Sequence, residues 1–72
     1  MTAAVERFIT IHLEPGERVL TVPWPKTVRQ LLKSLELQEG TALVARDGKL
    51  LTPDRRIWPD DSLYIRIVLS MG

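Results

Sequence analysis

The chain has no cysteine among its 72 residues, and its apolar runs are short. The missing cysteine excludes disulfides, thiolate catalysis and cysteine-bound zinc. No run approaches the roughly 20 apolar residues of a membrane-spanning helix. The first residues also lack the basic segment and the apolar stretch of a signal peptide. We therefore expect a soluble cytoplasmic domain without a membrane partner.

Neither sign of charge dominates the chain. Ten basic and nine acidic residues leave a net charge of +1, whereas a general nucleic-acid binder carries a marked excess of positive charge. The balance argues against a nucleic-acid partner. A chain of this size forms one domain and buries only about 60% of its unfolded surface. Because that leaves little room for a deep cleft, we expect neither an enzyme nor a bound cofactor or metal.

The spacing of apolar residues predicts five strands and one helix. Alternation is typical of the strands, and Asp47 with Gly48 indicates a tight hairpin. Thr27 and Gln30 form a capping box, after which apolar residues recur at helical spacing. This pattern predicts a helix of about 9–11 residues that ends before Gly40. The predicted strands cover residues 8–13, 18–22, 41–46, 49–51 and 63–69.

The order β-β-α-β-β-β predicts an α+β domain over residues 1–72. A mixed sheet of four or five strands would bury one face against the helix and leave the other face partly exposed. If the third and fifth strands are neighbours, their outward side chains share a patch. An apolar patch with a cationic edge suits partner docking. The predicted docking residues are Leu43, Ala45, Arg66 and Val68.

The loop before the last strand and both tryptophans are expected to close the core. Trp24 and Trp58 each have proline neighbours, and large aromatic side chains commonly cover the ends of a small core. Ile57 and Trp58 are expected to hold the loop onto that core, and residues 54–56 are expected to form one helical turn.

Few residues have the chemistry of a catalytic or metal site. His12 is the only histidine, and a lone histidine on a strand is more often a surface or half-buried residue than a base or a ligand. Asp60 and Asp61 are adjacent carboxylates in a turn, where aspartate commonly bonds the local backbone. We therefore assign no catalytic residue and no metal ligand.

The chain ends in glycine directly after the predicted last strand. Ser70, Met71 and Gly72 can reach roughly 10 Å when fully extended, and glycine has no side chain that would shield its carboxylate. We therefore expect residues 70–72 to form an exposed tail. Such a tail can place the Gly72 carboxylate in the active site of another protein.

The element order and three segments resemble the ubiquitin-like β-grasp fold. The segments are residues 27–32 at the helix start, 44–51 at the central hairpin and 59–67 at the acidic turn and last strand. The resemblance covers most of the chain. It is closest to the small sulfur carriers of thiamine and molybdopterin synthesis, ThiS and MoaD.

The resemblance implies a carrier function. Chains of this family end in two glycines, and an adenylating enzyme activates the terminal carboxylate with ATP. Sulfur then replaces the adenylate, and a synthase accepts it from the thiocarboxylate. By position, Gly72 matches the acceptor glycine, whereas Met71 departs from the penultimate glycine.

Three alternatives remain beside the sulfur carrier. The chain could be an interaction module that kept the scaffold and lost activation, as Met71 suggests. It could be a ubiquitin-like modifier of other proteins. It could also be a small RNA-binding β-grasp domain, although the near-neutral charge weakens that reading.

Overall fold

The computed structural model describes residues 7–14 and 16–68 as a mixed five-stranded sheet and one α-helix. This α+β architecture and the element order β-β-α-β-β-β confirm the prediction at that level. A single 3₁₀ turn precedes the third strand. The elements are β1 (Phe8–Glu14), β2 (Arg18–Pro23), α1 (Val28–Ser34), the 3₁₀ turn (Glu39–Thr41), β3 (Ala42–Arg46), β4 (Lys49–Leu51) and β5 (Ser62–Ile67).

The last strand lies at the centre of the sheet. The strand order is β2-β1-β5-β3-β4, so β5 pairs with β1 on one side and with β3 on the other. The β1–β5 pair is parallel, and the other three pairs are antiparallel. This arrangement is compatible with a β-grasp fold.

The core lies between α1 and one face of the sheet, as the alternation predicted. Apolar residues at every second position of β1, β3 and β5 face the helix, and the helix contributes three residues at helical spacing. Ile57 joins them from the loop before β5. The buried residues are Ile9, Ile11, Val28, Leu31, Leu32, Ala42, Val44, Ile57, Leu63 and Ile65.

The helix begins where the capping box predicted it and ends earlier than predicted. The Thr27 hydroxyl accepts a hydrogen bond from the Gln30 backbone N–H at 3.2 Å. The Gln30 side chain accepts in turn from the Lys26 backbone N–H at 2.9 Å. The helix has seven residues, so the predicted length of about 9–11 residues is wrong.

The early end of α1 has a local cause. Glu36 adopts a left-handed conformation with φ of 59°, which ends the helix. The Leu37 N–H then donates to the Leu32 carbonyl at 2.8 Å, and the Glu36 N–H donates to the Lys33 carbonyl at 3.1 Å. This is a Schellman arrangement, which satisfies carbonyls that the next helical turn would otherwise bond. The motif usually uses glycine, so the glutamate left no sequence signal.

Replacing the helix cap tests this part of the fold. Thr27→Ala removes the hydroxyl that accepts from Gln30, and it is expected to lower the free energy of unfolding by about 1 kcal/mol. Thr27→Ser keeps the hydroxyl and serves as the matched control. Urea unfolding followed by circular dichroism measures both variants. Equal stability of the two variants would contradict the role given to the cap.

The loop before β5 differs from its prediction in two respects. Residues 54–56 do not form a helical turn; instead the Arg55 N–H donates to the Thr52 carbonyl at 3.0 Å in a tight turn. Ile57 is buried as expected, but Trp58 is 52% exposed, so its predicted role in the core is wrong. Trp24 does pack against the core, and its indole N–H donates to the Ile57 carbonyl at 2.7 Å.

Polar contacts hold the loop around Trp58. Its backbone N–H donates to the Asp61 carboxylate at 2.9 Å, and Arg46 binds the same carboxylate oxygen at 2.8 Å. The loop is therefore held by its backbone, as turn chemistry at Asp61 predicted, and does not need the indole in the core. The Arg56 guanidinium lies 5.3 Å from the centre of the Trp58 ring. Across the described ranges, no helix is both long enough and apolar enough to cross a membrane.

Candidate partner-docking face

No helix or strand of the described residues covers the face of the sheet opposite the helix, and this face is rich in apolar side chains. We call it the open face; it comprises the strand residues whose side chains alternate with the core positions, together with Val68. Seven large hydrophobic side chains are exposed in the described part of the chain, and six of them lie here. These six are Phe8, Val19, Leu43, Leu50, Tyr64 and Val68.

A row of apolar and aromatic side chains crosses all five strands of the open face. His12 is paired with Val19 of β2 and with Tyr64 of β5. Tyr64 is paired with Ala45 of β3, which is paired with Leu50 of β4. We call these five residues the central row. Because consecutive members are direct cross-strand partners, their side chains are neighbours.

The middle of the central row is an aromatic pair. The rings of His12 and Tyr64 are stacked, with centroids 4.4 Å apart and planes inclined by 14°. His12 Nε2 also lies 3.0 Å from the Ser62 hydroxyl oxygen. His12 is half-buried, in agreement with the position expected from the sequence. The stack presents a flat aromatic surface at the middle of the sheet.

Charge on the open face is confined to one pair beside the central row. Among the strand residues of this face, only Glu14 and Arg66 are charged, and they are cross-strand partners. Arg66 Nε lies 3.9 Å from Glu14 Oε2, and the two side chains are 71% and 46% exposed. On the other side of the central row the face carries hydroxyl groups, from Thr10, Thr21 and Ser62.

The four residues predicted for docking are placed on this one face. Leu43 is the cross-strand partner of Arg66. Ala45 opposes Tyr64 on the same pair of strands. Val68 follows β5, and its backbone N–H donates to the Thr41 carbonyl at 2.8 Å. The patch thus extends along β3 and β5 towards the end of the sheet where the described chain stops.

The structure enlarges that patch with residues that the sequence analysis did not assign to docking. Tyr64 was recognised as outward-facing, but its partner His12 belongs to β1. The β1–β5 pairing joins residues 52 positions apart, so no local pattern could place them together. Leu50 stands in a three-residue strand, which is too short for alternation to decide which way it faces.

The predicted tail lies outside the described residues. This concerns Ser70, Met71 and Gly72, which follow the last described residue, Val68. The structure does define where the chain leaves the sheet. Because β1 and β5 are parallel, both end at the same edge. Val68 therefore lies near Glu14 and the turn after β1, at the margin of the open face.

The other described surfaces have few features of a catalytic or ligand-binding site. A groove of about 240 Å³ between α1 and the β3–β4 hairpin is lined mainly by apolar side chains, including Leu32, Leu51 and Pro53. Within residues 7–14 and 16–68, no group of three His, Asp or Glu side chains could hold a metal ion. The Thr52 hydroxyl hydrogen bond lowers the pKa of the exposed Asp54 carboxyl. The open face is therefore the strongest candidate for a functional surface, and its chemistry suits binding.

Comparison with known proteins does not assign the chain. No protein-family model matches it, and a search of the curated proteins found no match. The fold and the open face define a small α+β domain whose exposed apolar surface lies beside the end of its last described strand, β5.

Proposed function

We propose that this protein is a sulfur carrier with ubiquitin-like β-grasp topology. In this proposal a partner enzyme of the ubiquitin-activating class docks on the open face in the cytoplasm. It adenylates the Gly72 carboxylate, which is then converted to a thiocarboxylate. A synthase accepts the sulfur for cofactor synthesis or tRNA thiolation. The chain itself is not an enzyme, because it contributes a docking surface and a substrate carboxylate.

One observation carries the proposal: the last strand is the central strand of the sheet and leaves it beside the open face. The neighbouring β3 and β5 are what the β-grasp resemblance implies. A partner that covers Leu43, Tyr64 and Val68 is thereby brought next to the chain that leads to Gly72. Binding and chemistry would then use adjacent parts of the carrier, as positioning of a reacting group requires.

The chemistry that we propose needs only the terminal carboxylate. A Gly72 carboxylate oxygen attacks the α-phosphorus of ATP, and pyrophosphate leaves. The resulting acyl adenylate is attacked at its carbonyl carbon by a sulfur nucleophile supplied by the partner system, and AMP leaves. Hydrogen bonding and charge for these steps come from the partner, since the open face holds only Glu14 and Arg66 as charged strand residues.

Intact-mass measurement tests the proposal. The purified chain is incubated with ATP and, one at a time, with each adenylating enzyme of the ubiquitin-activating class from the same organism. An acyl adenylate is expected with one of them. Addition of a sulfur donor should then give a thiocarboxylate, which is heavier than the unmodified chain by the difference in mass between one sulfur and one oxygen atom. Reactions without ATP are the control. Unchanged mass with every enzyme would refute the carrier function.

A second candidate function is favoured by Met71. The methionine adds a side chain where the family has glycine, and it resists backbone conformations that glycine adopts easily. The chain could therefore be a binding module that docks through the open face without being activated. A ubiquitin-like modifier is a further alternative, in which the activated Gly72 carboxylate would be transferred to an amine of another protein.

Replacing Met71 with glycine separates these possibilities. If the chain is a carrier held back by its methionine, Met71→Gly is expected to raise the rate of adenylation by up to about 100-fold, because small errors in positioning cost that much. Met71→Ala keeps the backbone restriction of an ordinary residue and is the control. Pyrophosphate exchange measures both rates. Adenylation that appears only in the glycine variant would identify a module that lost activation.

A further inference from the structure

We infer that the partner surface covering the open face carries a carboxylate that binds Arg66. The inference rests on the proposed function, and it names the chemistry of the partner surface. It follows from the surroundings of Arg66. The residue lies on the central strand, with Leu43 directly opposite on β3. Tyr64 and Val68 precede and follow it on the same face, and all three neighbours are exposed.

A partner that buries these apolar neighbours also removes Arg66 from water. The guanidinium has five N–H donors, and its charge cannot be lost by deprotonation. Among the strand residues of the open face, all of which lie in the described ranges, its only charged neighbour is Glu14, whose oxygen lies 3.9 Å from Nε, too far for a hydrogen bond. This exposed contact suffices in water. If an apolar partner surface covered Arg66, its charged guanidinium would be buried without adequate hydrogen-bond acceptors, which is strongly unfavourable.

Glu14 neutralises Arg66 only in part, because their contact is longer than a hydrogen bond. It is the last residue of β1, beside the turn that contains Gly16 and Glu17. It is also the direct cross-strand partner of Arg66, so Arg66 has Glu14 on one side and apolar side chains on the others. At 3.9 Å the Glu14 carboxylate makes no hydrogen bond to the guanidinium Nε. A carboxylate from the partner can instead meet the guanidinium with two parallel hydrogen bonds. Because Arg66 is close to the chain exit at Val68, that carboxylate would lie beside the opening that receives the tail.

Substitution with methionine distinguishes a partner carboxylate from an apolar cover. Arg66→Met keeps much of the side-chain length and removes the charge. With a partner carboxylate it is expected to weaken binding to the activating enzyme about 30-fold or more. Arg66→Lys, which keeps the charge but not the fork of donors, should be intermediate. Affinity is measured by calorimetry with the enzyme that adenylates the wild-type chain.

Two further variants complete the test. Arg55→Met is the matched control, because Arg55 is exposed beside the start of α1 and the net charge changes equally; its affinity should match the wild type. Glu14→Gln should slightly raise the affinity for the enzyme, because it removes a carboxylate that would repel the carboxylate of the partner surface. Arg66→Glu is expected to abolish binding to the wild-type enzyme. Replacing the partner carboxylate on the enzyme with lysine should restore binding of this variant.

Three results would contradict the inference, and each has a different cause. Undiminished binding of Arg66→Met would overturn the inference, because it would show a cover without a carboxylate. A loss in Glu14→Gln as large as in Arg66→Met would also overturn it, because Glu14 would then be the counter-ion. If no enzyme adenylates the wild-type chain, the proposed function fails and this inference fails with it.

Discussion

Deletion of Ser70, Met71 and Gly72 is expected to abolish adenylation completely while preserving most of the affinity for the activating enzyme. Adenylation requires the terminal carboxylate in the partner's active site, and the shortened chain would end at Leu69. Three residues span roughly 10 Å, so the new terminus would stop short of the reacting position. The open face, which precedes the tail, is unchanged by the deletion.

Two measurements on the same protein check this expectation. Pyrophosphate exchange reports adenylation, and calorimetry reports affinity, for which a loss of no more than about tenfold is expected. A chain with two additional glycines after Gly72 is the matched control, because it keeps the tail but displaces its carboxylate; it should bind normally and react poorly. Loss of affinity by orders of magnitude on deletion would show that the tail, and not the open face, supplies the binding energy.

Ile65→Ala is expected to lower the free energy of unfolding by about 2–5 kcal/mol. Ile65 lies on the central strand between Leu13 of β1 and Val44 of β3, and its side chain is fully buried. Truncation removes apolar contact and leaves a cavity that surrounding strands cannot easily close. Domains of this size are marginally stable, at roughly 0.05–0.15 kcal/mol per residue, so the variant is expected to have a markedly lower melting temperature than the wild type.

Tyr64→Ala provides the comparison with Ile65→Ala, because it removes a side chain of the open face and not one of the core. Tyr64 precedes Ile65 on the same strand but points to the open face and is 47% exposed. Its loss is expected to cost less stability than the loss of Ile65, and to weaken docking strongly, because exposed aromatic residues at the centre of an interface often dominate its energy. Thermal unfolding and enzyme binding are measured for both variants. Equal destabilisation by both would contradict the assignment of the two faces.

Much of the local structure was predictable because it depends on short spacings. The capping box at Thr27 located the start of α1, and the pair Asp47 and Gly48 located the β3–β4 hairpin. Alternation assigned Leu63 and Ile65 to the core and Tyr64 and Arg66 to the other face. These signals act within a few residues, where backbone sterics and hydrogen bonds are decided by the residues themselves.

Predictions failed where distant contacts or unusual backbone conformations decided the outcome. Trp58 was expected in the core, but the Arg46–Asp61 pair holds the loop by its backbone and leaves the indole outside. The helix was expected to continue, but Glu36 adopts a left-handed conformation that glycine usually provides. Neither the pairing of Arg46 with Asp61 nor the conformation of Glu36 can be read from the neighbouring residues.

The sequence by itself determined the composition of the two faces, since alternation in each strand places its apolar and polar side chains on opposite sides. Tertiary structure alone decided that β5 pairs with β1 and β3 at the centre of the sheet. That pairing aligned Val19, His12, Tyr64, Ala45 and Leu50 in one row and placed Arg66 between Glu14 and Leu43. The β1–β5 and β3–β5 pairs join strands far apart in the chain, and burial of one apolar face, which only the folded chain achieves, fixes their register.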